Sequence, residues 1–182
     1  MKKYLLAIVL VFVGVYLLDG HCTTSRFKEG DIIFQTSKSE QSKYIRMATK
    51  SHLSHCGIVV EKGGRQYVLE ASNVIKLTPV DDFIAKGVGK KYWVKRVVDK
   101  PVKIRYQHLL GRRYDSQFKW NNNLYYCSEL VYHIYDSQLG IKLGKPRKVS
   151  SYWGVGLFKK YIKKRKIDMD ELVISPKDIY DA

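Results

Sequence analysis

Cys127 is the residue best placed to do chemistry. It lies in the run Tyr125-Tyr126-Cys127-Ser128-Glu129-Leu130-Val131-Tyr132, with the loop-like Asn121-Asn122-Asn123 before it. Leu130, Val131 and Ile134 recur behind it at roughly helical spacing, so the cysteine opens an amphipathic helix. A helix N-terminus carries about half a positive charge and unpaired backbone N–H groups, which ease ionisation of a thiol there. The thiolate is a nucleophile, and the same N–H groups can hold an oxyanion. A buried structural cysteine is the competing reading, because free cysteine is among the most buried residue types.

A cysteine nucleophile needs a base within hydrogen-bond reach, and the base needs an orienting partner. The histidines are His21, His52, His55, His108 and His133. His133 is turned about 240° around the helix from Cys127 and points away. His21 falls in the leader, His108 has no evident partner, and His52 sits in the Ser51-Leu53-Ser54 approach to a strand. His55 opens that strand. Residues 55–60 and 65–70 flank Glu61-Lys62-Gly63-Gly64, a hairpin signal with glycines where the turn needs positive φ. If Val60 pairs with Arg65, His55 stands opposite Glu70, roughly 5 Å away at Cβ. A turn centred on Gly63-Gly64 makes Glu70 face Gly57 instead. Both registers keep His55 and Glu70 on one face. A surface ion pair is the alternative, but Glu70 closes the apolar run Tyr67-Val68-Leu69 and precedes Ala71-Ser72, a pattern of partial burial. Cys56 faces away from His55 and reads as core.

The elements that position these residues follow from the same patterning. A short buried strand covers residues 31–35, and Ser39 opens a helix to about Thr49 with Tyr44, Ile45 and Met47 as its apolar side. After the hairpin come a third strand at 74–78 ended by Pro79, a short helix at 81–86 closed by Gly87, and a strand at 92–98. A helix before Gly111, the Cys127 helix to about Leu139 and a basic helical tail complete the chain. Strands and helices mix without βαβ alternation, which predicts an α+β fold with a largely antiparallel sheet packed with helices. Residues 1–25 read as a signal peptide or N-terminal membrane anchor, and 26–182 as one domain.

Five segments occur in a telling order: Gly30-Asp31-Ile32-Ile33-Phe34, Ser54-His55-Cys56-Gly57-Ile58-Val59, Val68-Leu69-Glu70-Ala71, Gly111 with Tyr114-Asp115, and the Cys127 run. Together they resemble the YiiX-like family, a circularly permuted branch of the NlpC-type papain-fold cysteine hydrolases. The resemblance spans about residues 27–140, and Val173-Ile174-Ser175-Pro176 extends it. It implies a permuted papain-like fold, Cys127 as nucleophile, His55 as base and Glu70 as third polar member. It also implies a thiol hydrolase of amidase or peptidase type acting on the cell envelope. A lipid-directed thiol acyl hydrolase or acyltransferase is the enzyme alternative, and a non-catalytic binding module on the same fold is the other. Cys56 departs from the pattern, where an apolar residue such as valine is expected, and adds a redox liability. Tyr114-Asp115 read as structural. Gln35 and Tyr126 are candidates for the oxyanion hole or the wall of the cleft.

Composition bounds the setting. Hydrophobic residues make up 45% of 182, enough for a real core. Met1-Lys2-Lys3 precedes an uncharged apolar run over residues 4–18, the form of a signal peptide and somewhat short for a membrane span. Leu18-Asp19-Gly20-His21 offer neither a small-x-small cleavage site nor a good setting for lipidation of Cys22. Cleaved leader, retained anchor and lipoprotein therefore stay open, and each places the domain outside the cytosol. Three cysteines make no disulfide framework, although Cys56 and Cys127 are free to pair. No C-x-x-C or H-E-x-x-H occurs, so neither metal nor cofactor is expected. The net charge of +16 includes the run Lys159, Lys160, Lys163, Lys164, Arg165 and Lys166. Such a surface suits anionic lipid headgroups or an anionic envelope polymer, with a solvated helix face as the plainer reading. Nucleic acid is disfavoured, since no nucleic-acid motif is present.

Overall fold

The computed structural model describes residues 26–182, so the expected leader and Cys22 lie outside the described residues. Five strands form an antiparallel sheet: β1 (Ile32–Ser37), β2 (His55–Lys62), β3 (Arg65–Ala71), β4 (Ile75–Pro79) and β5 (Gly87–Lys95), in the spatial order β4-β3-β2-β1-β5. Around it lie α1 (Glu40–Thr49), α2 (Val80–Lys86), α3 (Cys127–Ile134), α4 (Lys159–Arg165) and α5 (Pro176–Asp181). A two-stranded ribbon, β6 (Arg147–Lys148) with β7 (Leu172–Val173), stands apart from the main sheet.

The central strands are apolar on both faces because both are covered. Ile32, Phe34, Cys56, Ile58, Val60 and Leu69 face α3, whose Leu130, Val131 and Ile134 complete that core. Ile33, Val59 and Val68 face the other way, onto Phe83 and Ile84 of α2. Arg96 grips the buried Asp31 carboxylate through Nε at 2.8 Å and Nη2 at 2.7 Å, tying the start of β1 to the chain leaving β5. The Tyr135 hydroxyl donates to the Gly30 carbonyl, which fixes the far end of α3 to the same strand.

The structure decides between the two hairpin registers and departs from several other expectations. The hairpin pairs Val59 with Val68 and Lys62 with Arg65, so the turn is centred on Gly63-Gly64 and His55 does not stand opposite Glu70. Both turn glycines have positive φ, 58° and 71°, as this tight turn requires. Gly87 closes α2 as expected, its N–H bonding to the Ile84 carbonyl, and also begins β5, pairing with Ser37 across an irregularity in β1. The expected helix before Gly111 is only a 3₁₀ turn at Gln107–Leu109. There the Gly111 N–H bonds to the Ile75 carbonyl, which draws the chain onto β4. Met47 is exposed, while Ser42 and Thr49 are the buried residues of α1. The inner side of α1 is polar, with the Ser42 and Ser54 hydroxyls 2.7 Å apart. The Cys127 helix runs on to Leu139 as expected, but its last turn, Tyr135–Leu139, is π-helical.

Candidate active site

The hairpin brings His55 and Glu70 together despite the shifted register. His55 Nε2 lies 2.6 Å from Glu70 Oε2, because parity keeps both side chains on one face. The other carboxylate oxygen, Oε1, accepts a 2.6 Å hydrogen bond from Thr78 Oγ1 on β4. The His55 ring stacks on Phe83, with centroids 5.6 Å apart and planes 26° apart. Gly57 makes the approach possible. A Cβ there would collide with Val68 and meet the Leu69 carbonyl at 2.7 Å and Glu70 Cβ at 3.4 Å.

Cys127 is the first residue of α3, and no side chain caps that helix in the usual way. Tyr126 before it is extended, at φ −91° and ψ 171°. The helix start is held from two directions. Ser128 Oγ donates to the Ile174 carbonyl at 2.8 Å, and the Tyr126 hydroxyl accepts the Ile174 N–H at 3.0 Å. On the other side, the Glu129 carboxyl takes the backbone N–H of Asn121, 3.3 Å away, and that of Tyr126. Asp115 gathers the loop before the helix, accepting the N–H groups of Gln117 and Lys119 and the side-chain amide of Asn122 at 2.8–3.0 Å.

The electrostatics are those of a thiolate–imidazolium pair. The Cys127 thiol is held well below its ordinary range, above all by a hydrogen bond with the Cys56 side chain. Burial opposes this, while the bond to His55, its charge and the Cys56 backbone N–H add to it. Burial alone would lower the His55 pKa, but contacts with Cys127 and Glu70 outweigh it and raise the ring to about 10. Burial likewise resists ionisation of Glu70, yet the bond and charge of His55, with help from Thr78 and Lys76, bring it down to about 2. Since Nε2 is engaged by Glu70, Nδ1 is the nitrogen left for Cys127. Burial and the Cys127 contact push the Cys56 thiol well up, so it stays protonated as the donor. Both cysteines are free.

Two hollows flank this group. An apolar cavity of about 120 Å³ reaches Cys127 and is lined by Tyr44, Ile45, Tyr126, Phe158, Tyr161 and Ile162 among others. Cys127 itself is only 3% exposed, so a substrate must enter to reach it. A polar cleft of about 420 Å³ lies against His55 and Glu70. Gln41 borders both and donates a 2.7 Å hydrogen bond from Nε2 to the Tyr114 hydroxyl, which therefore divides them.

The remaining sequence candidates find their places here. Gln35 pairs with His55 on β1 and lines the polar cleft, not the cavity that reaches Cys127. Tyr126 lines the apolar cavity with its hydroxyl engaged by Ile174. His52 lies against Trp93, with ring centroids 4.2 Å apart. Cys56 is core, as read, yet the face it occupies is the one α3 covers, so it touches Cys127. Thr78, the Gln41–Tyr114 pair and the Cys56–Cys127 contact were not read from the sequence. Only the position of Glu129, three residues after the N-cap, carried a signal for its role.

Residues 26–154 match the model of the permuted papain-like amidase enzymes of the YaeF/YiiX type, the C92 family. The chain belongs to this family. Its members are cysteine hydrolases of the amidase class, and the antiparallel sheet packed with helices is their permuted papain-like fold. The chain is also 37% identical over 166 residues to the uncharacterized protein YiiX of Escherichia coli strain K12, covering 84% of this chain and 81% of that one. The crystal structure of YiiX from Escherichia coli O157:H7 superposes with a TM-score of 0.77 at 36% identity, covering 85% of this chain and 92% of the other. That protein is described as a metalloprotein. Among the described residues of this chain, no three His, Cys, Asp or Glu side chains converge as metal ligands.

Proposed function

We propose that this amidase-family protein hydrolyses an amide or peptide bond of a cell-envelope substrate through Cys127, His55 and Glu70, its domain being exported or membrane-anchored. The observation that carries this reading is the 2.6 Å His55–Glu70 contact beside a Cys127 thiol held below its ordinary range at a helix N-terminus. The Cys127 thiolate attacks the carbonyl carbon, and the uncapped N–H of Cys127 stabilises the oxyanion. The proton on His55 Nδ1 goes to the leaving amine as the C–N bond breaks, leaving a thioester on Cys127. His55 then takes a proton from water, the hydroxide attacks the thioester, and the C–S bond breaks to release the carboxylic acid and restore the thiolate–imidazolium pair. Glu70, fixed by Thr78, holds the tautomer and stabilises the imidazolium.

The apolar cavity at Cys127 favours a second reading, a lipid-directed thiol acyl hydrolase or acyltransferase. Trp153 and Leu157 stand 53% and 73% exposed near the cavity and the basic helix α4, a surface suited to an anionic membrane.

The test follows alkylation of Cys127 by iodoacetamide against pH, with each thiol read by peptide mass. Wild type is expected to label fast well below pH 8, and His55→Ala to slow at pH 6–7 by about tenfold or more, in line with the contribution of a positioned base. Labelling that tracks an ordinary thiol of pKa ~8.5, unchanged by the histidine, sinks the catalytic reading and leaves a binding module. Turnover of acyl substrates that depends on anionic vesicles selects the lipid reading over the peptide one.

A further inference from the structure

The hydrolase reading leaves the polar cleft beside His55 unused. Lys76, Lys86 and Arg165 line it. Among the described residues none of the three has an ion-pair or hydrogen-bond partner, and Arg165 only rests over the Tyr161 ring at 5.5 Å. Glu40 and Glu70 also line the cleft, but Glu70, which attracts Lys76 from the neighbouring strand, is hydrogen-bonded to His55 and Thr78, so the wall keeps an excess of positive charge.

These groups are complementary to one kind of ligand. The three cations call for an anion, and the polar lining suits the amine beside it. The cleft lies on the His55 side, where the leaving amine must sit to receive its proton. We propose that this cleft is the leaving-group subsite and takes an amine that carries a nearby carboxylate or phosphate. The proposal rests on the hydrolase reading for the direction of the scissile bond, while the binding it describes does not depend on turnover.

Ligand-observed NMR titration of the full-length chain in detergent tests it, with glycine, phosphoethanolamine and ethanolamine as probes. Glycine or phosphoethanolamine is expected to bind saturably and at least tenfold more tightly than ethanolamine. The tighter of the two identifies the anion as carboxylate or phosphate. The Lys76→Gln/Lys86→Gln/Arg165→Gln variant should lose at least fivefold in that affinity. The Lys159→Gln/Lys160→Gln/Lys163→Gln variant removes equal charge elsewhere and should lose little. Equal binding of all three probes, no binding, or equal losses in the two variants overturns the subsite. Alkylation by neutral iodoacetamide reports the thiolate independently, so a failed subsite with an activated Cys127 leaves the hydrolase reading standing.

Discussion

At the scale of single residues, the site works by opposing burial with hydrogen bonds. His55, Glu70 and Cys127 all pay a desolvation penalty, and each is charged because its neighbours are. Replacing Glu70 by Gln removes the second of the two partners, after Cys127, that hold His55 at about 10 against burial. The imidazolium weakens, the thiolate loses its counter-charge, and the midpoint of Cys127 alkylation should move up by about 1–2 pH units. An unchanged midpoint would show that Cys56 and the helix start suffice. Glu129 is the reverse case. Burial first, with the Asp115 and Glu171 charges, raises it from 4.5 to about 8 against the bonds from Asn121 and Tyr126. A folded pKa above the unfolded one gives stability that is full below about pH 4.5 and lost as pH rises through about 8. Glu129→Gln should therefore match wild type in melting temperature at pH 4–5 and exceed it at pH 8–9, read by calorimetry across that range. The His55–Glu70 partnership was legible because strand parity is the same in both registers the turn allowed. The Cys56 contact was not, because parity says which face a residue takes and nothing about what covers that face.

At the scale of elements, legibility followed how local the governing interaction was. The hairpin announced itself through Gly63-Gly64, and α2 through its Asp-rich start. In α1, Tyr44 and Ile45 were read rightly as apolar contacts and Met47 was not, while Ser42 was missed because it is buried through a hydroxyl on Ser54, twelve residues away, which no hydrophobic period encodes. Gly87 was read rightly as a helix stop, but that it also opens β5 depends on Ser37 pairing with it across the sheet. The close approach of β2 and β3 gives a direct check. Gly57→Ala forces a Cβ into Val68 and the Leu69 carbonyl, an overpacking expected to cost about 1–3 kcal/mol in urea denaturation and to spread His55 from Glu70. A neutral effect on both stability and alkylation would mean that the strands part without consequence for the site.

At the scale of the whole molecule, the permuted papain-like fold was readable from five ordered segments, whereas the two hollows were not. Each is walled by pieces far apart in the chain: the apolar cavity joins α1 to α4 and to residues 173–176, and the cleft joins β1, β4 and Arg165. The basic helix α4 contributes to both, supplying Tyr161 and Ile162 on one side and Arg165 on the other. Its lysines were conspicuous in the sequence, but their relation to the site appears only when the chain is folded.

The Ile174 clamp carries a consequence for how the protein is made. His55 and Glu70 are 15 residues apart and meet within one hairpin, a contact that forms early and cheaply. Ser128 and Tyr126 wait for Ile174, 46 and 48 residues downstream. During N-to-C synthesis His55 and Glu70 are thus brought together long before Cys127 is seated, and the emerging chain is expected to carry an ordinary thiol. A chain truncated after residue 165 should label at Cys127 with an ordinary thiol profile, and fast labelling below pH 8 in that fragment would show that the clamp is dispensable. In the reverse, unpermuted order the cysteine would emerge first. On the proposed role of Cys127 the reactive group is armed last, which would keep a nascent hydrolase inert until its C-terminal segment has docked.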